Sequence, residues 1–291
     1  MNKKLLLPVA ALCLVTLFSC GGDGSSSNEN PASNTETREK LVIGLECDYA
    51  PFNWAEQTSN EYTLQVANVA NTYADGYDIQ IAKLLGEKLN MDIEIMQIEW
   101  DSLITELQFD TIDAVIAGMT DTEERRLSID FTDEYYRSEL VLVTSKAVAD
   151  SYNSALSATE FGELVNGKVI VSQDNTVTND VIDTFAESYG AIHANPVETF
   201  AFAATDVSNG SAFAMTAELP VAQSIVASFS NLGIIHINQE ILGAAQAELG
   251  VSIGIRKNED DLKAKLNQAL SEIDQEQRVR IMQGAVERST N

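Results

Sequence analysis

Cysteine, histidine and positive charge are all scarce in this chain. There are three cysteines, Cys13, Cys20 and Cys47, and the first two lie within or just after an apolar N-terminal run. That leaves Cys47 alone in the rest of the chain, so no internal disulfide can form there. The two histidines, His193 and His236, stand far apart. The spacing of a zinc or iron site is therefore missing, and neither metal nor cofactor is expected. Lys plus Arg number 18 against 44 Asp plus Glu, a net charge of −26. A surface of that sign repels phosphate, which argues against nucleic acid or anionic lipid as a charge-bound partner. Catalytic signatures are absent too: no G-x-S-x-G elbow, no Walker-type loop, no H-E-x-x-H and no Rossmann glycine fingerprint. Carboxylates are plentiful, but nothing singles out a pair for acid–base work, and no enzyme is expected.

What is present begins at the N-terminus. Lys3 and Lys4 precede an apolar run from Leu5 to Phe18. At about 14 residues it is too short to span ~30 Å of hydrocarbon as a helix. Residues 1–19 read as a secretory signal. Leu17-Phe18-Ser19-Cys20-Gly21 resembles a bacterial lipobox, in which Cys20 becomes the acylated first residue. The Gly-, Ser- and Asn-rich stretch that follows cannot bury enough apolar surface to fold, so residues 20–39 read as a flexible tether.

From Lys40 on, apolar runs alternate with helical patterns. Leu41–Leu45, Asp113–Met119, Leu140–Thr144, Gly167–Ser172, Ala212–Thr216, Ile234–Ile237 and Gly250–Arg256 suit buried strands. Met91–Ile98 alternates as a further strand. Tyr77, Ile81, Leu84, Leu85 and Leu89 have helical spacing after Gly76, and Val177–Tyr189 and Thr199–Val207 read as helices. Pro220 fits the first turn of a helix through Phe229, and two helices near 259–273 and 275–287 close the chain. Asp101 or Ser102 is expected to cap a short helix. Asp121 with Glu124 resembles the start of another, with Arg125 in its first turn. Residues 55–75 show no period and read as an insertion or extended loop. Alternating strands and helices predict an α/β fold with largely parallel sheets. Two such cycles, joined by strands near 140–144 and 250–256, suggest two lobes: 40–144 with 247–291, and 145–246.

Four clusters follow predicted strand ends: Glu46 to Phe52, Gly118 to Arg125, Gln173 to Thr176, and Glu218. Ligands of open α/β sheets sit beyond such ends. Arg125 can grip a carboxylate through two parallel N–H bonds. Tyr49 and Trp100 are aromatic side chains in polar surroundings, suited to ligand contact. Glu218 can accept from an ammonium.

From Leu41 to about Val286 the chain resembles the solute-binding proteins of polar amino acid ABC importers. The resemblance rests on Gly76-Tyr-Asp-Ile-Gln-Ile-Ala-Lys-Leu-Leu, Trp100-Asp-Ser-Leu-Ile, Ile112-Asp-Ala-Val-Ile-Ala-Gly-Met-Thr120, Thr122-Glu-Glu-Arg125 and Ile129-Asp-Phe-Thr-Asp-Glu-Tyr-Tyr136. It implies a two-lobed type II periplasmic-binding-protein fold, with two mixed-sheet lobes joined by two hinge strands. It further implies that Arg125 binds a ligand carboxylate, with backbone and hydroxyl contacts from Gly118 and Thr120. Tyr49 would lie over the ligand, Trp100 would form a second wall and Glu46 would read the side chain. Thr176, in a turn where the family has Gly-Thr-Thr, would add to the carboxylate site. Glu218 stands where the family usually has an ammonium-binding Asp. The implied partners are a free amino acid, an ABC permease, and the extracytoplasmic face of the membrane through the lipid on Cys20. A monomer is expected. The rivals are an enzyme on the same fold, resembling cyclohexadienyl dehydratase, and a ligand-sensing module.

Overall fold

The computed structural model describes residues 38–290, apart from the side chains of 244–248. The signal, Cys20 and most of the tether lie outside them. The chain enters through β1 (Lys40–Leu45) and then builds a small antiparallel sheet, ordered β2-β3-β5-β4. Its strands are β2 (Asp48–Tyr49), β3 (Asn53–Glu56), β4 (Leu64–Gln65) and β5 (Tyr73–Asp75). The stretch expected to be irregular therefore supplies most of a sheet. Strands of two to four residues are too short for an alternation to stand out. Asp75, only 2% exposed, is held by a two-pronged ion pair with Arg288 near the C-terminus, at 2.8 and 2.9 Å.

Next come α1 (Tyr77–Leu89), β6 (Asp92–Gln97), α2 (Leu103–Gln108), β7 (Ala114–Val115) and β8 (Asp130–Arg137). Helix α1 buries Tyr77, Ile81 and Leu85, one turn apart, and stops where Asn90 turns left-handed at φ 55. Neither Asp101 nor Ser102 caps α2 through a side-chain hydrogen bond; a 3₁₀ turn, Trp100–Ser102, leads into it instead. The expected strand at 113–119 is regular only over β7, although backbone bonds at Asp113, Ile116 and Met119 continue its pairing on either side. The expected helix at 121 is a single 3₁₀ turn, Arg125–Leu127. Asp121 does not cap it, because its carboxylate is committed to Arg126 at 2.5 and 2.6 Å.

The second lobe contains β9 (Leu140–Ser145), α3 (Lys146–Ala149), α4 (Ala158–Val165), β10 (Val169–Val171), α5 (Val177–Tyr189), β11 (Ile192–His193), α6 (Phe200–Asn209), β12 (Ala214–Glu218), α7 (Leu219–Ser228) and β13 (Leu232–His236). The chain then returns through β14 (Gly250–Ile255), α8 (Asp260–Ser271) and α9 (Gln275–Ser289). The first sheet is ordered β6-β1-β7-β14-β8 and the second β11-β10-β12-β9-β13. In each, three neighbouring strands run parallel and an antiparallel strand follows, β14 or β9. Both sheets are thus mixed.

Strand β9, which the sequence reading put at the end of the first lobe, is paired on both edges within the second sheet. Its burial explains why. Leu140 to Val143 are each at most 1% exposed. Leu140 and Leu142 join one apolar layer, while Val141 and Val143 join the other. Burying each such side chain is worth ~1.5–3 kcal/mol, which a solvated linker would forfeit. The chain crosses back along 237–249. There the Gln239 side-chain amide pairs with the backbone of Leu140 in both directions, accepting from its N–H and donating to its carbonyl, each at 3.0 Å. The returning crossing is thereby tied to the start of β9.

Candidate functional site

The C-terminal ends of β1, β7, β10 and β12 deliver Glu46, Gly118, Gln173 and Glu218 to one small cavity. Six lining residues come from the first lobe (Glu46, Tyr49, Trp100, Gly118, Thr120, Arg125) and six from the second (Gln173, Thr176, Val177, Thr178, Phe200, Glu218). All eight residues expected from sequence to form the site are among them. The cavity is therefore a shared property of two lobes, and hydrogen bonds cross it. The Tyr49 hydroxyl donates to Glu218 Oε2 at 2.6 Å, and Gln173 Nε2 donates to Glu46 Oε2 at 3.3 Å.

Arg125 does not sit at an α-helix start. Its Nη1 donates to the Thr120 carbonyl at 2.8 Å and its Nη2 to the Asn175 carbonyl at 2.7 Å, while the guanidinium lies 5.2 Å from the centre of the Trp100 ring. The helix start that does face the cavity belongs to α5. Thr176 is its N-cap, accepting from Asn179 N–H at 3.2 Å, and Val177 and Thr178 form its first turn. The positive end of that helix and Arg125 line the same cavity, where the two together would favour an anion.

Glu218 ends β12 rather than lying in a loop beyond it, and it is buried. Burial pushes its carboxyl above the usual range, and the Tyr49 bond opposes that shift. Glu46 is pushed up to about 7, chiefly by burial, with the Asp48, Glu99 and Asp101 carboxylates adding to the rise. Each group would gain if a cation entered the cavity.

A second tier fixes the wall. Fully buried Asp78 accepts from Tyr135 Oη at 2.7 Å and from Asn53 Nδ2 at 2.8 Å. Burial raises its carboxyl to about 8. The Tyr135 oxygen in turn accepts from Gly118 N–H at 2.9 Å. With that N–H committed, Gly118 can offer a ligand its carbonyl. Gly118 has φ 61, and a Cβ there would lie 2.7 Å from Tyr49 Cε1. Gly118→Ala is expected to lower stability by ~1–3 kcal/mol and to push the Tyr49 ring off its place, read as a lower melting temperature together with weaker ligand binding.

Sequence reasoning gave no role to Val177, Thr178 or Phe200, and placed Gln173 only within a cluster without a role of its own. Phe200 stacks on Tyr49 from the other lobe, with ring centroids 4.9 Å apart, and Tyr49 stacks in turn on Phe52 at 5.1 Å. The signal for Phe200 was faint: an aromatic residue directly after a helix-capping Thr199.

Two mixed sheets linked by a pair of crossings, with a polar cavity between their strand ends, define a type II periplasmic-binding-protein fold. The chain belongs to the bacterial extracellular solute-binding proteins, family 3, whose model matches residues 41–283. It is similar to the arginine-binding extracellular protein ArtP of Bacillus subtilis (strain 168), 34% identical over 146 residues, a match spanning 50% of this chain and 49% of that one. That match covers about half the relative's length. It is also similar to ABC transporter arginine-binding protein 1 of Escherichia coli (strain K12), 26% identical over 235 residues, covering 81% and 85% of the two chains. The solved structure of the amino acid ABC transporter substrate-binding protein AbpA from Streptococcus pneumoniae Canada MDR_19A, bound to L-arginine, shares the fold. It matches with a TM-score of 0.68 and 22% identity, over 87% of this chain and 96% of that one. Among the described residues, no helix is long and apolar enough to cross a membrane.

Proposed function

We propose that this protein is the extracytoplasmic substrate-binding component of an ABC importer, and that it captures a free amino acid with a cationic side chain. The observation that carries this reading is the charge inventory of the cavity: one guanidinium beside a helix start, and two buried carboxylates, Glu218 and Glu46. A basic amino acid carries the complement, one carboxylate and two cations. Its carboxylate goes to Arg125 and the start of α5. Its ammonium goes to Glu218, supported by the Gly118 carbonyl and Thr120. Its side-chain cation goes to Glu46, and Tyr49 and Trp100 form the walls. Only the closed arrangement makes all these contacts at once, so the ligand shifts the population toward closure, and a membrane permease receives it. The names of the arginine-binding relatives agree with this choice. Acylated Cys20 tethers a monomer at the membrane face, raising its concentration near the permease.

The test is a thermal-shift screen of the twenty amino acids on the secreted chain with Cys20→Ser. L-Arginine or L-lysine should raise the midpoint most. At a hundredfold excess over the dissociation constant, mass action supplies about 2.7 kcal/mol, several degrees for a chain of this size. A screen in which acidic or apolar amino acids lead, or none acts, would overturn the reading.

A further inference from the structure

Asn175 lies at the tip of the β10–α5 loop, exposed and outside the cavity lining, with its backbone in the left-handed region at φ 55. Asparagine is one of the few residues that enter this region at small cost. The turn aims two groups across the cleft. The Asn175 carbonyl accepts from Arg125 Nη2 at 2.7 Å and from Trp100 Nε1 at 3.2 Å, and its side-chain Nδ2 donates to Asp101 Oδ1 at 2.8 Å. All three partners belong to the first lobe, and two of them, Arg125 and Trp100, also line the cavity. Asp174 Oδ1 accepts from the Asn175 N–H at 2.9 Å and braces the turn.

We propose that Asn175 is a positioning residue for ligand capture: a latch that closes the cleft from outside the cavity, holding Arg125 and Trp100 in their binding positions without touching the ligand. The proposal deepens the function proposed above and rests on it. Its bonds form only after the lobes meet, so they act on escape rather than on encounter. A latch of this kind slows dissociation and leaves association nearly unchanged. Its strength divides between a backbone part, the shared carbonyl, and a side-chain part, the bond to Asp101.

Asn175→Gly keeps the left-handed turn and the carbonyl but deletes the side-chain bond. Asp101→Ala deletes the same bond from the other lobe. Both positions are exposed, so folding is not at risk. Trp100 supplies a label-free readout, since the chain has two tryptophans and its indole N–H makes a cross-lobe bond. In ¹⁵N-labelled protein two indole peaks appear, and Trp100→Phe identifies the one that reports closure. With L-arginine as the probe, each single variant should release it roughly ten times faster, with little change in association rate. The double variant should be no worse than either single one. The Trp100 indole peak should move toward its open-cleft position in both variants. Unchanged release and an unmoved peak in both would overturn the latch while wild-type binding of L-arginine stands. If the wild type binds no amino acid, the proposed function fails, and the latch is then judged on the peak positions of the ligand-free proteins alone: a shift in both variants supports it and no shift overturns it.

Discussion

Arg125→Ala is expected to remove the amino-acid-induced thermal shift and to weaken the proposed binding of L-arginine by about 100-fold or more. The guanidinium is half-buried and held within its own lobe by the Thr120 carbonyl and the Trp100 ring, with the Asn175 carbonyl added from across the cleft. The rigid fork is therefore placed before the ligand arrives, and little is lost in ordering it. Charge-assisted bonds to a carboxylate contribute about 1.5–3 kcal/mol each, and a hundredfold change corresponds to about 2.7 kcal/mol. Arg125→Lys keeps the charge but loses the planar fork, so an intermediate loss of roughly ten-fold is expected. Titration calorimetry on both variants, with melting temperatures of the ligand-free proteins alongside, separates lost binding from lost folding. A retained shift in Arg125→Ala would place the carboxylate elsewhere.

Glu46 sets the second large effect, and its sign depends on pH. The folded-state value is about 7, against an ordinary value of 4.5, mainly because the carboxyl is buried. Between those two values the folded chain holds a proton that the unfolded chain has released. The stability of the ligand-free protein contributed by this group is thus complete below about 4.5 and falls as pH rises to about 7. Binding runs the other way. A cationic side chain requires the ionised carboxylate, so affinity for L-arginine should climb by up to ten-fold per pH unit toward neutrality and level off above about 7. Glu46→Gln should lower affinity at pH 8 by roughly ten-fold or more and flatten both slopes. Calorimetry from pH 5 to 8 in buffers of different ionisation enthalpy checks this, since wild type releases protons on binding near neutral pH. A Glu46→Gln variant with unaltered pH dependence would assign the titration to another group, such as Asp78.

The alternation of strands and helices was legible because deep burial demands long apolar runs, and β9 and β14 are such runs. That the eight candidate residues would meet at one cavity was legible because each follows a strand end or carries a family motif. What did not show was anything set by contact between the lobes. Phe200, Gln173 and the exposed Asn175 make cross-cleft contacts with residues fifty or more positions away in the chain. Local rules also misfired in a telling way. Asp121 and Glu124 looked like a capping box, yet Asp121 is held by Arg126. A real capping box at Ser157 and Glu160, with both reciprocal bonds made, opens α4 and was not recognised. A capping signature is decided by which charged neighbour reaches the acid first, and spacing does not contain that information. The pairing of β9 was hidden for a similar reason: a strand beside a crossing looks the same in sequence whether or not it is paired on both edges.

The side-chain amide of Gln239, bonded in both directions to Leu140, fastens the returning strap to the first residue of β9. That anchoring shortens the part of 237–249 left free to bend, so a hinge on this side would be concentrated after residue 239.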